Sequence, residues 1–209
     1  MLTLFHAPRS RSTRILWLLE ELGADYSVRY VSIRYGDGSG EGPDPENRHP
    51  DKKVPALDHD GTVVSESTAV AIHLSDVLPS AGLLPAAGSP ERGACLTWLC
   101  WADNELGTVV MSRMMGGGID PQAQAGYEAA VRRLTEALAR GPYLMGERFS
   151  VADVMIAPLL RFARTQLPES AAIDAYIARA TDRPAFARGM AKDAAKDAAK
   201  DAPAAPAAA

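Results

Sequence analysis

Lys53-Val54-Pro55-Ala56-Leu57-Asp58-His59-Asp60-Gly61-Thr62-Val63-Val64-Ser65-Glu66-Ser67 is the stretch that decides the fold. Two short runs, Val54–Leu57 and Thr62–Val64, flank Asp60-Gly61, and an Asp-Gly pair between such runs predicts a hairpin. From Ser67 to Leu78 the spacing turns helical, with Val70, Ile72, His73 and Val77 inside it. Upstream, residues 2–6 read as a short strand that ends in a turn at Pro8. Ile15, Leu16, Leu18, Leu19 and Leu22 then form one apolar helix face, with Glu20 and Glu21 outside it. Ser12 fits the N-cap and Gly23 the stop. Tyr26–Ile33 alternates and predicts a second strand. The order is strand–helix–strand, a long glycine-rich loop over residues 36–50, then strand–strand–helix, complete by residue 78.

Pro79, Gly82, Pro85, Gly88 and Pro90 mark a linker. Beyond it the sequence carries helical signals only. Leu96, Leu99, Leu106 and Val110 run along a long helix over residues 91–115, stopped by Gly116-Gly117-Gly118. Tyr127, Val131, Leu134 and Leu138 recur on one helix face. Residues 151–165 and 170–180 read as helices, and Asp182-Arg183-Pro184 opens a last one. The expected class is an α/β domain over residues 1–79, a linker at 80–90, an all-α domain over 91–190 and a low-complexity tail over 191–209. In that tail Lys192-Asp193-Ala-Ala repeats at Lys196 and Lys200 with no large apolar residue to anchor it. A frayed, solvated helix is expected there.

The 209 residues are 47% hydrophobic and 23% charged, enough to bury a core without disulfides or metals. A net charge of −4 offers no basic surface for nucleic acid. No apolar run is long enough for a membrane span. The first residues lack the layout of a signal peptide, and a cytoplasmic location is expected. Cys95 and Cys100 lie about 140° apart on one helix and read as two buried, unpaired thiols. His6, His49, His59 and His73 have no metal-ligand spacing, so no metal is assigned.

Four segments carry chemical potential. In Ala7–Arg14 two serines and three arginines crowd a strand-to-helix junction, where free N–H groups and the helix dipole favour an anion. A thiol with a pKa of about 8.5 is only about 3% ionised at neutral pH. Lowering that pKa by about two units corresponds to about 2.7 kcal/mol, which one hydroxyl and a dipole can supply. Lys53-Val54-Pro55 has a proline at a strand entry, suited to a cis bond that turns Val54 toward an added peptide strand. Ser65–Thr68 opens a helix with a serine for a carboxylate and Glu66 for an amine. Phe149-Ser150-Val151-Ala152-Asp153 fits a structural capping box and staple.

Together these segments resemble the glutathione S-transferase family over residues 1–190. The carriers are Ser12–Leu22 (Ser-Thr-Arg-Ile-Leu-Trp-Leu-Leu-Glu-Glu-Leu), Lys53–Leu57, Glu66-Ser67 and Phe149–Asp153, in this order and spacing. The resemblance implies a thioredoxin-like N-terminal domain, a C-terminal helical bundle and a homodimer. It implies glutathione as co-substrate, with Val54, before the cis proline Pro55, pairing with the cysteinyl backbone. Glu66 and Ser67 would hold the γ-glutamyl end, and Lys53 would face the glycine carboxylate. The family often has Leu-Gly before that lysine; here Asp51-Lys52 stand instead. Phe5 and His6 occupy the region of a tyrosine-type catalyst, and the turn has no cysteine. A serine type remains, with Ser10 the first choice, Ser12 the second, and Arg11 able to stabilise the thiolate directly. An ungapped match leaves Arg9 nearest the usual catalytic position.

The implied activity is conjugation of glutathione to a small electrophile, as in detoxification. The same fold also hosts glutathione-dependent disulfide reductases, isomerases and non-catalytic binding proteins. Asp103 has two readings, a contact across a dimer to the glutathione amine and the preferred solvated or structural role. Trp98, Trp101, Met111, Met114 and Met115 fall on a helix that lines the electrophile pocket and dimer contact in the family. Core packing is the default for most of them, and the methionines are the candidates for an adaptable wall.

Overall fold

A computed structural model describes residues 1–114 and 121–200, with side chains through residue 195. Strands β1 (Leu2–His6), β2 (Tyr26–Tyr30), β3 (Ala56–His59) and β4 (Thr62–Ser65) form one mixed sheet in the order β2-β1-β3-β4. β1 runs parallel to β2, with Leu4 opposite Val28, and antiparallel to β3, with Leu4 opposite Leu57. β3 and β4 form the hairpin that Asp60-Gly61 predicts, and both turn residues have positive φ (50° and 88°), as such a tight turn requires. β2 stops at Tyr30 rather than Ile33. Among the described residues its only neighbour is β1, which ends at His6, so after the Val31 N–H bonds the His6 carbonyl no described strand remains for the residues that follow.

Helices α1 (Thr13–Glu21) and α2 (Ser67–Val77) pack Ile15, Leu16, Leu18, Leu19, Val70, Ala71 and Leu74 into one core with Leu4 and Leu57. All six residues from Arg14 to Leu19 are buried, so α1 is covered on more than its sheet face. Its second cover is α8 (Pro184–Lys200). A Cβ on Gly189 would stand 3.0 Å from the Trp17 Cα, so the two helices approach this closely only because residue 189 is glycine. Phe186 meets the Trp17 ring edge-on at 5.0 Å.

The helical part contains α3 (Pro90–Trp101), α4 (Gly107–Met114), α5 (Pro121–Leu138), α6 (Val151–Phe162), α7 (Ala171–Thr181) and α8. The long helix expected over residues 91–115 is interrupted by a π-helical segment, Ala102–Leu106. Gly116–Gly118 and Met115 lie outside the described residues. Asp153 completes the capping box by accepting from the Ser150 N–H at 2.8 Å, and also accepts from the Leu144 N–H and the Tyr176 hydroxyl. Burial raises its pKa even against these bonds. Cys95 is buried, with its thiol pushed up to about 11 by burial, whereas Cys100 is exposed, contrary to the expectation of two buried thiols. The loop after β2 contains no helix and is internally bonded, with Arg34 donating to the Gly38 and Gly40 carbonyls. No described helix is long and apolar enough to cross a membrane.

Candidate functional site

The sheet register brings the sequence-selected segments to one end of the molecule. Phe5 pairs with Ala56, and Ala56 pairs with Ser65. The exit of β1, the entry of β3 and the exit of β4 are therefore neighbours. Residues 7–12 leave that end into α1, Lys53–Pro55 enter from it, and Glu66-Ser67 leave it into α2. Two helix N-termini, each with N–H groups that the helix itself does not pair, open on the same edge.

The Val54-Pro55 bond is cis. Among the described residues no hydrogen bond engages the Val54 N–H or C=O, while Pro55 is buried. Asn47, fully buried, fixes this segment from behind. Its Nδ2 donates to the Lys53 carbonyl at 2.9 Å, and its Oδ1 accepts from the His49 N–H at 3.0 Å. Nothing in the local pattern of the loop singled Asn47 out. Lys52 turns inward, donating from Nζ to the Asn47 carbonyl at 2.7 Å, whereas the exposed Lys53 stands 3.6 Å from Asp51. Asp51-Lys52, the departure from the family's usual pair, thus contributes to the loop's own bonding. Glu66 is exposed with a φ of 65°, and Ser67 is buried at the first position of α2. Among the described non-glycine residues four have positive φ, and three of them, Arg9, Lys52 and Glu66, lie in or beside these segments. Such backbone persists where the surroundings over-determine it, commonly at functional sites.

The β1–α1 turn is bound differently from the expectation. Ser12 occupies the N-cap position but makes no side-chain cap. Its Oγ points back into the turn, accepting from the Ala7 N–H at 3.2 Å and lying 2.7 Å from His6 Nδ1. Ser10 Oγ is 2.7 Å from Ser12 Oγ and 2.7 Å from the Ala7 carbonyl, and it accepts from the Ser12 N–H at 3.1 Å. Ser10 is half-buried and Ser12 fully buried, so of the two serines only Ser10 reaches the surface of the turn. Arg11 is exposed and extends toward the bent helix, its Nη2 lying 3.7 Å from where a Cβ on Gly107 would stand.

Arg14 does not join the other two arginines at the turn. It is buried and donates from Nη2 to Asp103 Oδ1 at 2.6 Å, and Thr68 Oγ1 donates to Asp103 Oδ2 at 2.7 Å. Burial raises the Asp103 pKa, but the Arg14 charge and the bonds from Thr68 and Arg14 hold the carboxyl below its usual range. Asp103 sits in the π segment, whose widened turn aims it at both domains. It ties the second residues of α1 and α2 together within one chain, which is the structural alternative of its two readings. Trp98 and Trp101 are buried edge-to-face at 5.3 Å, with the Arg133 guanidinium over both rings, as packing residues. Met111 and Met114 are exposed.

The tail departs most from expectation. Lys192 donates to Glu20 Oε1 at 2.7 Å, and the Tyr30 hydroxyl donates to the Lys192 carbonyl at 2.7 Å. Arg188 and Arg183 pair with Glu20 and Glu21, so the acidic side of α1 lies under α8 rather than in solvent. Burial opposes ionisation of Glu20, but the bonds from Lys192, Tyr26 and Arg188 outweigh it and hold the carboxyl at about 2. Asp193 is 8% exposed and reaches the β1–α1 turn. Its carboxylate accepts from the Arg9 N–H at 3.2 Å and from Thr13 Oγ1 at 2.5 Å, and lies 3.3 Å from His6 Nε2. Burial raises the Asp193 pKa, yet these contacts keep it below the carboxylate range. The alternation Leu2, Leu4, His6 places the imidazole on the buried face of β1, and a buried imidazole needs a partner. That signal was present in the sequence. The identity of the partner, 187 positions away by difference of residue number, was not.

A cavity of about 550 Å³ lies between α6, α7 and α8, lined by Arg161, Arg164, Asp174 and Phe186 among others, and shares no residue with these segments. A groove of about 480 Å³ between α4 and α5, bordered by Trp101, Thr108 and Arg133, opens on a different face of the bent helix from Asp103 and Gly107. Among the described residues no group of three metal-ligating side chains converges.

The family model of the glutathione S-transferase N-terminal domain matches residues 9–77, and that of the C-terminal domain matches residues 101–188. A disulfide-bond oxidoreductase of Escherichia coli strain K12 is 29% identical over 210 residues, covering 92% of this chain and 95% of that protein. A glutathione S-transferase of Escherichia coli O157:H7 is 28% identical, covering 87% and 93%. The crystal structure of a glutathione transferase from Methylococcus capsulatus superposes with a TM-score of 0.75 at 27% identity, covering 93% of this chain and all of that one. A sphingomonad glutathione S-transferase complexed with glutathione gives 0.74 at 28% identity, covering 91% and 98%. With a thioredoxin-like sheet unit and a helical unit matched in order, the chain belongs to the glutathione S-transferase family.

Proposed function

We propose that the protein binds glutathione at the shared end of the sheet and stabilises its thiolate for attack on a small electrophile. The observation that carries this reading is the register that gathers the unpaired Val54 backbone, the α1 N-terminus and the α2 N-terminus on one edge. Val54 pairs with the cysteinyl backbone of the tripeptide, as in strand addition. The α2 N-terminus with Ser67 receives the α-carboxylate, and Glu66 receives the ammonium. Lys53 faces the glycine carboxylate. These contacts orient the sulfur at the β1–α1 turn, where Ser10 donates a hydrogen bond to it. Helix α1 adds the positive end of its dipole, and Arg11 adds a cation. Ser10 is preferred to Ser12 because Ser12 is enclosed behind it.

Residues 1–79 supply the glutathione half, and residues 91–190 supply the electrophile wall across the 80–90 linker. Met111 and Met114 are adaptable wall residues. The working form is a homodimer in the cytoplasm, where free Cys95 and Cys100 suit a reducing compartment.

A second reading draws on the K12 relative, which is named for disulfide chemistry. The glutathione thiolate attacks one sulfur of a disulfide and expels the other as thiolate. A second glutathione then attacks the mixed disulfide, giving oxidised glutathione and the second thiol. No cysteine stands in residues 7–14, so glutathione supplies both sulfurs.

Retention on immobilised glutathione, followed by turnover of an aryl halide and of a mixed disulfide, tests both. Retention with aryl-halide turnover supports conjugation. Retention with disulfide turnover alone moves the activity to the second reading. No retention overturns both and leaves a scaffold.

A further inference from the structure

We propose that Asp193, on the C-terminal helix, is a positioning residue for the thiolate site, acting through His6 and Ser12 on Ser10. The inference rests on the reading that Ser10 serves a glutathione thiolate.

The observation is a continuous line of polar atoms through a buried region. Asp193 Oδ1 lies 3.3 Å from His6 Nε2, and the ring is wholly buried. His6 Nδ1 lies 2.7 Å from Ser12 Oγ, which lies 2.7 Å from Ser10 Oγ. Asp193 also holds the backbone of the turn through the Arg9 N–H and the first residue of α1 through Thr13 Oγ1. The contact to Nε2 is too far off line for a full hydrogen bond and acts mainly through charge. Even so, it is the only anion facing that nitrogen among the described residues.

Donor accounting gives the line a direction. An ionised carboxylate only accepts, so the ring nitrogen facing it carries the proton. In the neutral ring Nδ1 is then an acceptor, and Ser12 donates its hydroxyl proton to it at 2.7 Å in preference to the Ala7 carbonyl at 3.3 Å. Ser12 Oγ still accepts from the Ala7 N–H, which leaves it one lone pair for Ser10. The Ser10 proton has two acceptors inside the turn, Ser12 Oγ and the Ala7 carbonyl, both at 2.7 Å. Of the line's hydroxyl protons it alone lies at the surface of the turn, and it can leave these acceptors for a sulfur while Ser10 Oγ keeps its bond from the Ser12 N–H. Asp193 thus fixes the imidazole tautomer, the tautomer fixes Ser12, and Ser12 leaves Ser10 free to donate. Lys192, Arg188 and Arg183 each pair with α1, and Phe186 packs on Trp17, so the placement of α8 does not depend on any one of these contacts. The first Lys-Asp-Ala-Ala unit of the tail is thereby part of the site.

Plain electrostatics predicts the opposite sign from positioning. Removing a nearby negative charge stabilises a thiolate. Losing the order of the line destabilises it. The test is the pKa of glutathione bound to the full-length protein, read by the ultraviolet absorbance of the thiolate. It is applied to wild type, Asp193→Asn, Asp193→Ala, Ser10→Ala and the double variant Asp193→Asn/Ser10→Ala. Arg188→Ala is the control that loosens α8 without touching the line. The expected result is a rise of about one pH unit in either Asp193 variant with little change in glutathione affinity. Arg188→Ala leaves the value unchanged, and Asp193→Asn has no further effect once Ser10 is alanine. An unchanged or lower pKa in the Asp193 variants, or an equal effect with Ser10 absent, overturns the proposal while the Ser10 reading stands. A wild-type value equal to that of free glutathione overturns both.

Discussion

The two halves of the candidate site are built by different means. The edge formed by Lys53–Pro55 and Glu66-Ser67 is a backbone device: a strand entry, a helix start and one buried asparagine behind them. The Ala7–Ser12 turn is a side-chain device, held by His6 and by Asp193 from the far end of the chain. Local sequence carries the first kind of site, because turn chemistry and strand register are written in neighbouring residues. The second kind depends on which distant helix arrives, and no local pattern states that.

The largest expected effect falls on what the two halves share. Asp103 joins Arg14 and Thr68, the second residues of the two helices that open on the site. Arg14→Met leaves a largely buried carboxylate without its cation and is expected to cost about 3 kcal/mol in urea unfolding. Both glutathione affinity and bound-thiol pKa are expected to shift with it. Asn47→Ala breaks the edge alone. It strands the Lys53 carbonyl and the His49 N–H, with an expected loss of about 2 kcal/mol in thermal unfolding. Glutathione binding weakens while the pKa of whatever binds stays put.

Ser67→Ala is a milder cut of the same half. The loss of one hydroxyl contact, about 1 kcal/mol, weakens glutathione binding roughly fivefold by calorimetry, again without moving the thiol pKa. The smallest effect concerns the turn's support. Glu20 is held at about 2, below its usual 4.5, so the stability it contributes is present above 4.5 and fades as pH falls toward 2. Because Arg188 and Lys192 are exposed partners, this amounts to about 1 kcal/mol or less and shrinks in high salt. Hydrogen exchange at α8 across that acid window reads it. Protection factors at α8, taken relative to the intrinsic exchange rate, that are independent of both pH and salt contradict the clamp.

The legible part of the fold follows the same division. Asp60-Gly61 announced the hairpin, and the spacing of Ile15, Leu16, Leu18 and Leu19 announced α1, because each is a local choice confirmed by its neighbours. The tail is the least legible part, because Lys192 and Asp193 look solvated in a run of alanines. Their partners, Glu20, Tyr26 and the turn, lie in another domain. In sequence Arg14 groups with the arginines of the turn, because proximity along the chain cannot show that a side chain on the second helical residue points across to Asp103. Position gives Ser12 a capping role, whereas His6 and Ala7 compete for its hydroxyl.

The role proposed for the turn is to stabilise a glutathione thiolate through Ser10. Titration of bound glutathione by thiolate absorbance, in wild type and in Ser10→Ala, Ser12→Ala and Arg11→Ala, tests it most directly. The expected wild-type thiol titrates about two pH units below free glutathione. Ser10→Ala is expected to return most of that difference with affinity nearly intact. A wild-type thiol that titrates like the free tripeptide, or a Ser10→Ala value equal to wild type, would contradict it.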